Sequence, residues 1–448
     1  MKSYLLPVAI LLFLASCAPD LRFHHKVDQM VAAGDYQGAY ALVEENREEY
    51  TENSAALFYA DTGTLAHYAG RPEESIEMLL QAERIIEELY TTSISKEATT
   101  FIINDTMAPY KGEDFENVML NLFLALDYLE IGEIDEALVE ARKVDSKLNL
   151  INSSYPPDKK NRYNEDAFVR YLMGILYEIG GSMEDLNDAF ISYENAEQIY
   201  AGDYWRNYNT PVPISLEKNL LTMAGFMGGE EFRSYKKKYG STNALSLSDK
   251  QQKAELYFIH YNGKSPEKVA GAIYAPMPDG YVMKIVFPQY RLRPYNIRSS
   301  IIRLTNMETG KTTKAKTELG ENIAAIAVES LENRKVRIAA KAIARATAKY
   351  LATKEAKRIA KKEQGELAAD FVGLLGNIAA AVTEQADLRC WKTLPAEIRI
   401  GTCNVDPGSY KIVASLLNRA GRVVRQISLG ETTLNTGEKK FFFFRTID

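Results

Sequence analysis

Four times between residues 33 and 196 the chain sets a helical stretch, a turn glycine and a second helical stretch with small residues at helical spacing. The first turn reads Ala33-Gly34-Asp35-Tyr36, followed by Ala39 and Val43. The second has Gly63, Gly70, Ser75, Leu79 and Ala82. The third has Ala125, Tyr128, Gly132, Ile134, Ala137 and Ala141. The fourth has Gly174, Tyr177, Gly181, Ala189, Tyr193 and Ala196, with a longer turn. In the first three a small residue, Ala39, Ser75 or Ala137, stands five places after the turn glycine. Glycine ends a helix because it takes up left-handed backbone without a Cβ penalty. Small residues let the second helix close on the first while bulky neighbours fill the groove. The offset of seven from Gly63 to Gly70 recurs from Gly174 to Gly181. The pattern predicts an all-α array of stacked helix pairs.

These residues resemble the tetratricopeptide repeat, which places a glycine at the turn and small residues where paired helices touch. The turn glycines are 36, 62 and 49 residues apart, whereas regular repeats of this type would give about 34. The array is therefore degenerate and interrupted. One insertion runs over residues 91–116 and another loop over 152–162, with Pro156-Pro157. A third aromatic and proline-containing stretch, residues 203–213, holds Tyr204, Trp205 and Tyr208, and helix returns over 216–239.

The N-terminus has one positive charge, Lys2, then an eleven-residue apolar run over residues 4–14, too short to span a bilayer. It ends in Leu14-Ala15-Ser16-Cys17. This resembles the bacterial lipobox, and the resemblance implies diacylglycerol on the Cys17 sulfur and an acyl chain on its new amine. More than one chain gives stable anchoring. Ala18 rather than Asp follows, which by the same resemblance favours the outer membrane, facing the periplasm. Residues 1–17 are then a lipoprotein signal peptide and lipobox. With Cys17 modified, Cys390 and Cys403 remain. In an exported protein their even number permits a disulfide, and two buried free thiols are the alternative.

Past residue 250 the pattern changes from helical to alternating. Strands are predicted over 255–261, 281–287, 299–304, 311–317, 397–400, 409–416, 422–429 and 440–445, with turns at Asn262-Gly263 and Asp406-Pro407-Gly408. Between the two sets of strands lie helices over 322–331, 334–362 and 365–386. The fold class is α+β: a TPR-like helical-repeat domain over 22–245, then a β-rich domain over 250–448 interrupted by a long helical hairpin at about 322–386. The terminal strand 441–444 is all phenylalanine, which requires burial on both faces or a subunit contact.

Charge divides along the same line. Residues 1–250 hold 22 Lys and Arg against 41 Asp and Glu, a net of −19, and residues 251–448 hold 32 against 19, a net of +13. Residues 334–362 hold eleven Lys and Arg, among them Lys341, Arg345, Lys349, Lys357, Arg358, Lys361 and Lys362, against Glu355 alone. Such a helix either meets an anionic surface or pairs with the acidic first half. Nucleic acid is not an expected partner outside the cytoplasm. The next helix has a run over 371–382 with small residues Gly373, Gly376 and Ala380. That run suits a close-packed hairpin, or membrane insertion or oligomerisation through small residues. Asp387, Arg389 and Trp391 follow, as a salt bridge and a buried indole expected to lock this helix to the next strand.

Hydrophobic residues make up 46% and charged residues 25%, which excludes a disordered chain. HExxH, GxSxG, Walker and paired CxxC motifs do not occur, which removes the common hydrolase and nucleotide-binding signatures. His24, His25, His67 and His260 are scattered, so neither a metal site nor a cofactor is expected, and no catalytic residues stand out. The combination of lipobox and repeats with four further segments is similar to an uncharacterised family of bacterial lipoproteins with N-terminal TPR-like repeats. Those segments are residues 110–116, residues 261–266, Phe287-Pro288-Gln289-Tyr290, and residues 386–395 with Asp387, Arg389, Trp391 and Pro395. The resemblance implies an envelope lipoprotein and brings no enzymatic activity. The expected function is a lipid-anchored, non-catalytic scaffold that binds envelope proteins through the repeats and sometimes itself. The rival readings are a structural subunit of a secretion or polysaccharide-export machine, and a cell-wall enzyme or enzyme activator.

Overall fold

In the computed structural model, residues 23–92, 106, 108–153 and 162–448 are described. The lipobox with Cys17, most of the first insertion and Pro156-Pro157 lie outside them.

The helical half is built from antiparallel pairs: α1 (His24–Ala33) with α2 (Tyr36–Glu45), α3 (Ala55–Tyr68) with α4 (Pro72–Thr92), α5 (Asp114–Ile131) with α6 (Ile134–Ser153), and α7 (Ala167–Gly180) with α8 (Met183–Ile199). The small residues named in the sequence sit where the helices touch. Ala39, Ala82, Ala125, Ala137, Ala141, Ala189 and Ala196 are all fully buried. The two glycines of the recurring offset serve different ends. Gly70 has φ +68° with nothing near its missing Cβ, so the turn needs its backbone freedom. Gly63 lies inside α3, where a Cβ would come within 2.7 Å of the Leu79 side chain, so the site needs its small size. Side chains close the helix starts: Asp35 accepts from the Gly38 N–H at 2.9 Å, and Ser182 and Asp185 form a capping box on α8. Each such cap contributes about 1 kcal/mol.

After α9 (Ile214–Met227), α10 (Gly229–Lys238) and α11 (Leu247–Gln251) the chain turns to strands: β1 (Ala254–Asn262), β2 (Lys264–Pro276), β3 (Val282–Arg293), β4 (Ile297–Asn306), β5 (Thr312–Lys316) and β6 (Glu318–Glu321). Then come α12 (Ile323–Gln364), α13 (Glu366–Thr383), β7 (Glu397–Val405), β8 (Gly408–Asn418), β9 (Val423–Leu434) and β10 (Lys439–Thr446). One sheet has the order β10-β1-β7-β6, a second β5-β4-β8-β9, and among the described residues β2 pairs only with β3. The fold class is α+β as expected, with TPR-like helix pairs followed by a β-rich part. Strand β2 escaped the sequence reading. Its Pro266, Gly271 and alanines dilute the β-branched pattern, and it has a single neighbour. The helix expected in two pieces over 322–362 is one continuous element, α12.

The first sheet is a middle layer. All nine residues of β1 are buried, because its alternate side chains enter different cores. Tyr257, Ile259 and Tyr261 pack against the helices, while Leu256 and Phe258 pack against the second sheet. Strand β10 runs parallel to β1 and matches it ring for ring: Tyr257 with Phe441 at 4.7 Å, Phe258 with Phe442 at 5.4 Å, His260 with Phe444 at 4.4 Å. The terminal phenylalanine run is thus placed against both cores. The helix-facing core crosses the change from helix to strand without a break. It joins Phe123, Leu126 and Tyr171 of the array to Ile323, Trp391, Ile398 and Ile400.

Candidate functional site

The helices α3, α5 and α7 give one side to their pair partners and the other to the sheet. Tyr261 of β1 stacks on Phe123 of α5 at 5.5 Å, its hydroxyl lies 2.7 Å from His67 Nε2 of α3, and Gly320 of β6 approaches the Phe168 ring of α7 so closely that a Cβ would clash. The inner face of the array, the surface through which repeat scaffolds usually bind partners, is filled by the chain's own sheet.

A buried polar cluster sits at this junction. His67 Nδ1 lies 2.5 Å from Asp127 Oδ1, and Ser75 donates to Asp127 Oδ2 at 2.6 Å. Ser75 occupies the place where the first and third repeats have alanine, so the departure from the repeat pattern supplies the cluster's third member. Burial opposes charge on the imidazole, but the Asp127 carboxylate beside it outweighs burial and holds the His67 pKa above its ordinary value. Both ring nitrogens are engaged, and Phe123 and Phe443 pack edge-on against the ring. A cavity of about 470 Å³ opens beside the cluster, lined by Tyr36, Tyr68, Glu130, Tyr261 and Arg445 among others. The Arg445 guanidinium lies over the Tyr68 ring at 5.2 Å and donates to the Tyr261 and Thr446 carbonyls. Among the described residues His67, Asp127 and Glu130 bring ligand atoms within 4.8 Å of one another. A cation there would have to displace the hydrogen bond to Asp127 or to Tyr261, so the donor set fits a proton-sharing strut better than an ion site. The sequence showed His67 in a helix and nothing more; its partners come from α5, 60 residues later, and β1, 194 residues later.

The segment 386–395 is a second anchor on the array. Arg389 pairs with Asp387 and also donates to the carbonyls of Asn53 at 2.8 Å and Ala108 at 2.9 Å. Trp391 shares its indole N–H between Thr64 and Thr393, and its backbone N–H donates to Glu116 at 2.8 Å. The expected lock therefore forms, but it fastens the segment to the helical array instead of to the following strand. Thr393 also donates to Asp61, whose carboxyl is pushed up to about 7 by burial. Pro395 is buried at the entry to β7.

Cys390 and Cys403 are both buried free thiols, so the bridge their count allows is not formed. Cys403 belongs to the core between the sheets, whereas Cys390 lies among Tyr110, Glu116, Lys268 and Tyr290.

The basic helix is paired mostly within its own hairpin. Arg345 is fully buried, and together with Lys349 it grips Glu384 at the end of α13 at 2.8 Å each. Those two are not surface charges, contrary to the sequence expectation. Lys357 pairs with Asp370, Arg358 with Glu355 and Lys361 with Glu366. Lys362 is exposed, and Lys341 is also exposed although it has a partner. Arg334 reaches into the acidic half, where Glu113 binds both it and Lys268 of β2.

No protein-family model matches the chain, and no curated protein matches it. Among solved structures the chain is similar to MamA from Desulfovibrio magneticus RS-1 (11% identity, 49% of this chain and 90% of that one, TM-score 0.31). It is also similar to a Podosopora anserina kinesin light chain with nearly identical TPR-like repeats (15%, 50% and 97%, TM-score 0.32). A third is BtubC from P. vanneervenii (14%, 54% and 90%, TM-score 0.32). At these scores the likenesses identify neither a partner nor an activity.

Proposed function

We propose that the protein is a lipid-anchored bacterial envelope protein, held in the outer membrane through Cys17 and facing the periplasm, that acts as a non-catalytic scaffold for other envelope proteins. The observation that carries the scaffold reading is the outer surface of the helix pairs. The inner face of the array is occupied by its own sheet, yet Val139 and Leu150 of α6 and Met183 and Ile191 of α8 remain 45–71% exposed. Apolar side chains repeated on the second helices of successive pairs are what a protein partner would cover. The polar clusters at His67 and Asp61 are satisfied by the chain's own side chains, which favours support over catalysis. The anchor reading rests on the residues 14–17 alone.

Two experiments test it. Cys17→Ser should leave the protein unprocessed or release it from the membrane fraction; unchanged membrane fractionation overturns the anchor. In-cell crosslinking with mass spectrometry should capture a reproducible partner that is lost on substituting Leu150 and Met183 by Glu. Capture unaffected by those substitutions overturns the outer-surface scaffold.

A further inference from the structure

Helix α13 has two apolar stripes. Ala369, Gly373, Gly376 and Ala380 follow 4-3-4 spacing and face α12. A Cβ on Gly376 would lie 2.5 Å from the Thr353 side chain and one on Gly373 3.2 Å from that of Lys357, so the two helices touch through absent side chains. Leu367, Phe371, Leu374 and Ile378 follow the same spacing two residues away. At about 100° per residue this second stripe lies on the opposite side of the helix. Those four side chains are 90%, 62%, 57% and 52% exposed. From residue 351 to residue 378 only Ala369 is buried. The β2–β3 hairpin supports α12 no further than its own turn, where Asp279 accepts from the Tyr350 hydroxyl at 3.0 Å.

A helix that is apolar on both sides belongs inside a bundle, and 4-3-4 spacing of large residues is the pattern of a helix–helix seam. We propose that this face of α13 is a self-association surface, on which a second copy of the chain lays its own α13 antiparallel to form a four-helix bundle from two hairpins. Charge selects the occupant. Residues 351–378 hold Lys354, Lys357, Arg358, Lys361 and Lys362 against Glu355, Glu363, Glu366 and Asp370, close to neutral. Most of these are already paired within the hairpin, so two copies do not repel each other. Helix α13 has no Lys or Arg at all, whereas a helix that lies on an anionic bilayer carries them along its polar face. Charge also selects the direction. The only charges of α13 are Glu366 and Asp370 at its start. A parallel pairing would set them against their own copies, while an antiparallel one sets them against the uncharged end. In that register Leu367 meets Ile378 and Phe371 meets Leu374 of the other copy. The inference does not depend on the lipid anchor.

The test uses the chain from residue 18 onward, which keeps every described residue. Sedimentation equilibrium at tens of micromolar should give about twice the single-chain mass. Phe371→Glu with Leu374→Glu should halve that mass while leaving the far-UV circular dichroism of the folded chain unchanged, since both side chains are exposed in the single chain. A wild-type monomer overturns the proposal, and so does a dimer that the double substitution leaves intact. Flotation with vesicles containing a third phosphatidylglycerol reads the competing occupant. Binding of a monomer that the same substitution abolishes assigns the stripe to lipid and overturns self-association.

Discussion

Trp391 donates its indole N–H to Thr64 Oγ1 at 3.0 Å, fastening the segment before β7 to a helix 327 residues earlier in the chain. The contact is one of several that make the array and the sheet a single core, along with His67 and Phe123 against Tyr261. Without residues 250–448, the faces of α3, α5 and α7 that now meet the sheet would be bare. We expect the whole chain to melt in one transition, with equal calorimetric and van't Hoff enthalpies. Residues 23–245 expressed alone should aggregate or lack a cooperative melt; a sharp, reversible helical transition for that piece would show the array to be self-sufficient.

Asp127 is fully buried between His67 and Ser75. Asp127→Asn removes the carboxylate bonded to the imidazole, and removing one partner of a buried pair costs about 3–5 kcal/mol. Ser75→Ala removes one hydrogen bond and restores the residue seen in the other repeats, so it should cost about 1 kcal/mol. Urea midpoints of the two variants separate the cases. Equal losses would mean that the pair is no stronger than an ordinary hydrogen bond.

Acid should weaken a different junction. Glu178 of α7 lies between Lys250 and Lys439, at 2.6 and 2.8 Å. Burial alone would raise its pKa, but the two ammonium groups outweigh burial and bring it down to about 2 from 4.5. The unfolded chain therefore takes up this proton first as pH falls. The stability that the site contributes is present above pH 4.5 and is lost towards pH 2, on the order of 3 kcal/mol. Denaturation at pH 7, 4 and 3 should show that loss, and Glu178→Gln should flatten it. A variant with the same acid dependence as the wild type removes Glu178 as the cause.

The repeat pairs were legible because their signal is local: a turn glycine and small residues a few places on decide how two helices meet. The strands of the second half were legible for a similar reason, except β2, whose pairing is with one neighbour and whose pattern is weak, and the four-residue β6, too short to show an alternation. The clusters were not legible. His67, Asp127 and Tyr261 come from three elements, and only the serine at position 75 marked that repeat as different. Arg345 read as one cation in a basic run, because nothing in its own stretch announces Glu384 at the far end of the next helix. The segment 386–395 could be recognised as structural, but its true neighbours, Thr64 and the carbonyls of Asn53 and Ala108, are hundreds of residues away.

The two thiols should be silent in the folded chain. Burial pushes Cys390 up to about 11 and Cys403 to about 12, so neither ionises near neutrality, and the thiolate is the reactive form. A chain that starts after Cys17 should show no reaction with a disulfide reagent when native and two thiols in guanidinium. Fewer than two on unfolding would reveal a bridge.

The two glycines of the second repeat make the sharpest test of why the repeat has them. Gly70→Ala forces a Cβ into left-handed backbone at φ +68° with open space around it. It should cost about 1 kcal/mol, and no second substitution should relieve it. Gly63→Ala meets Leu79 at 2.7 Å instead, and overpacking of that kind costs about 1–3 kcal/mol. Leu79→Ala opens a cavity and costs about 2–5 kcal/mol by itself. The added methyl of Gly63→Ala would occupy part of that cavity, so the double variant should lose less than the sum of the two. A coupling of about 1 kcal/mol or more in the Gly63/Leu79 cycle, beside none in a Gly70/Leu79 cycle, assigns one glycine to packing and the other to the turn. Equal coupling in both cycles would mean that the two positions act through one shared distortion of the helix pair.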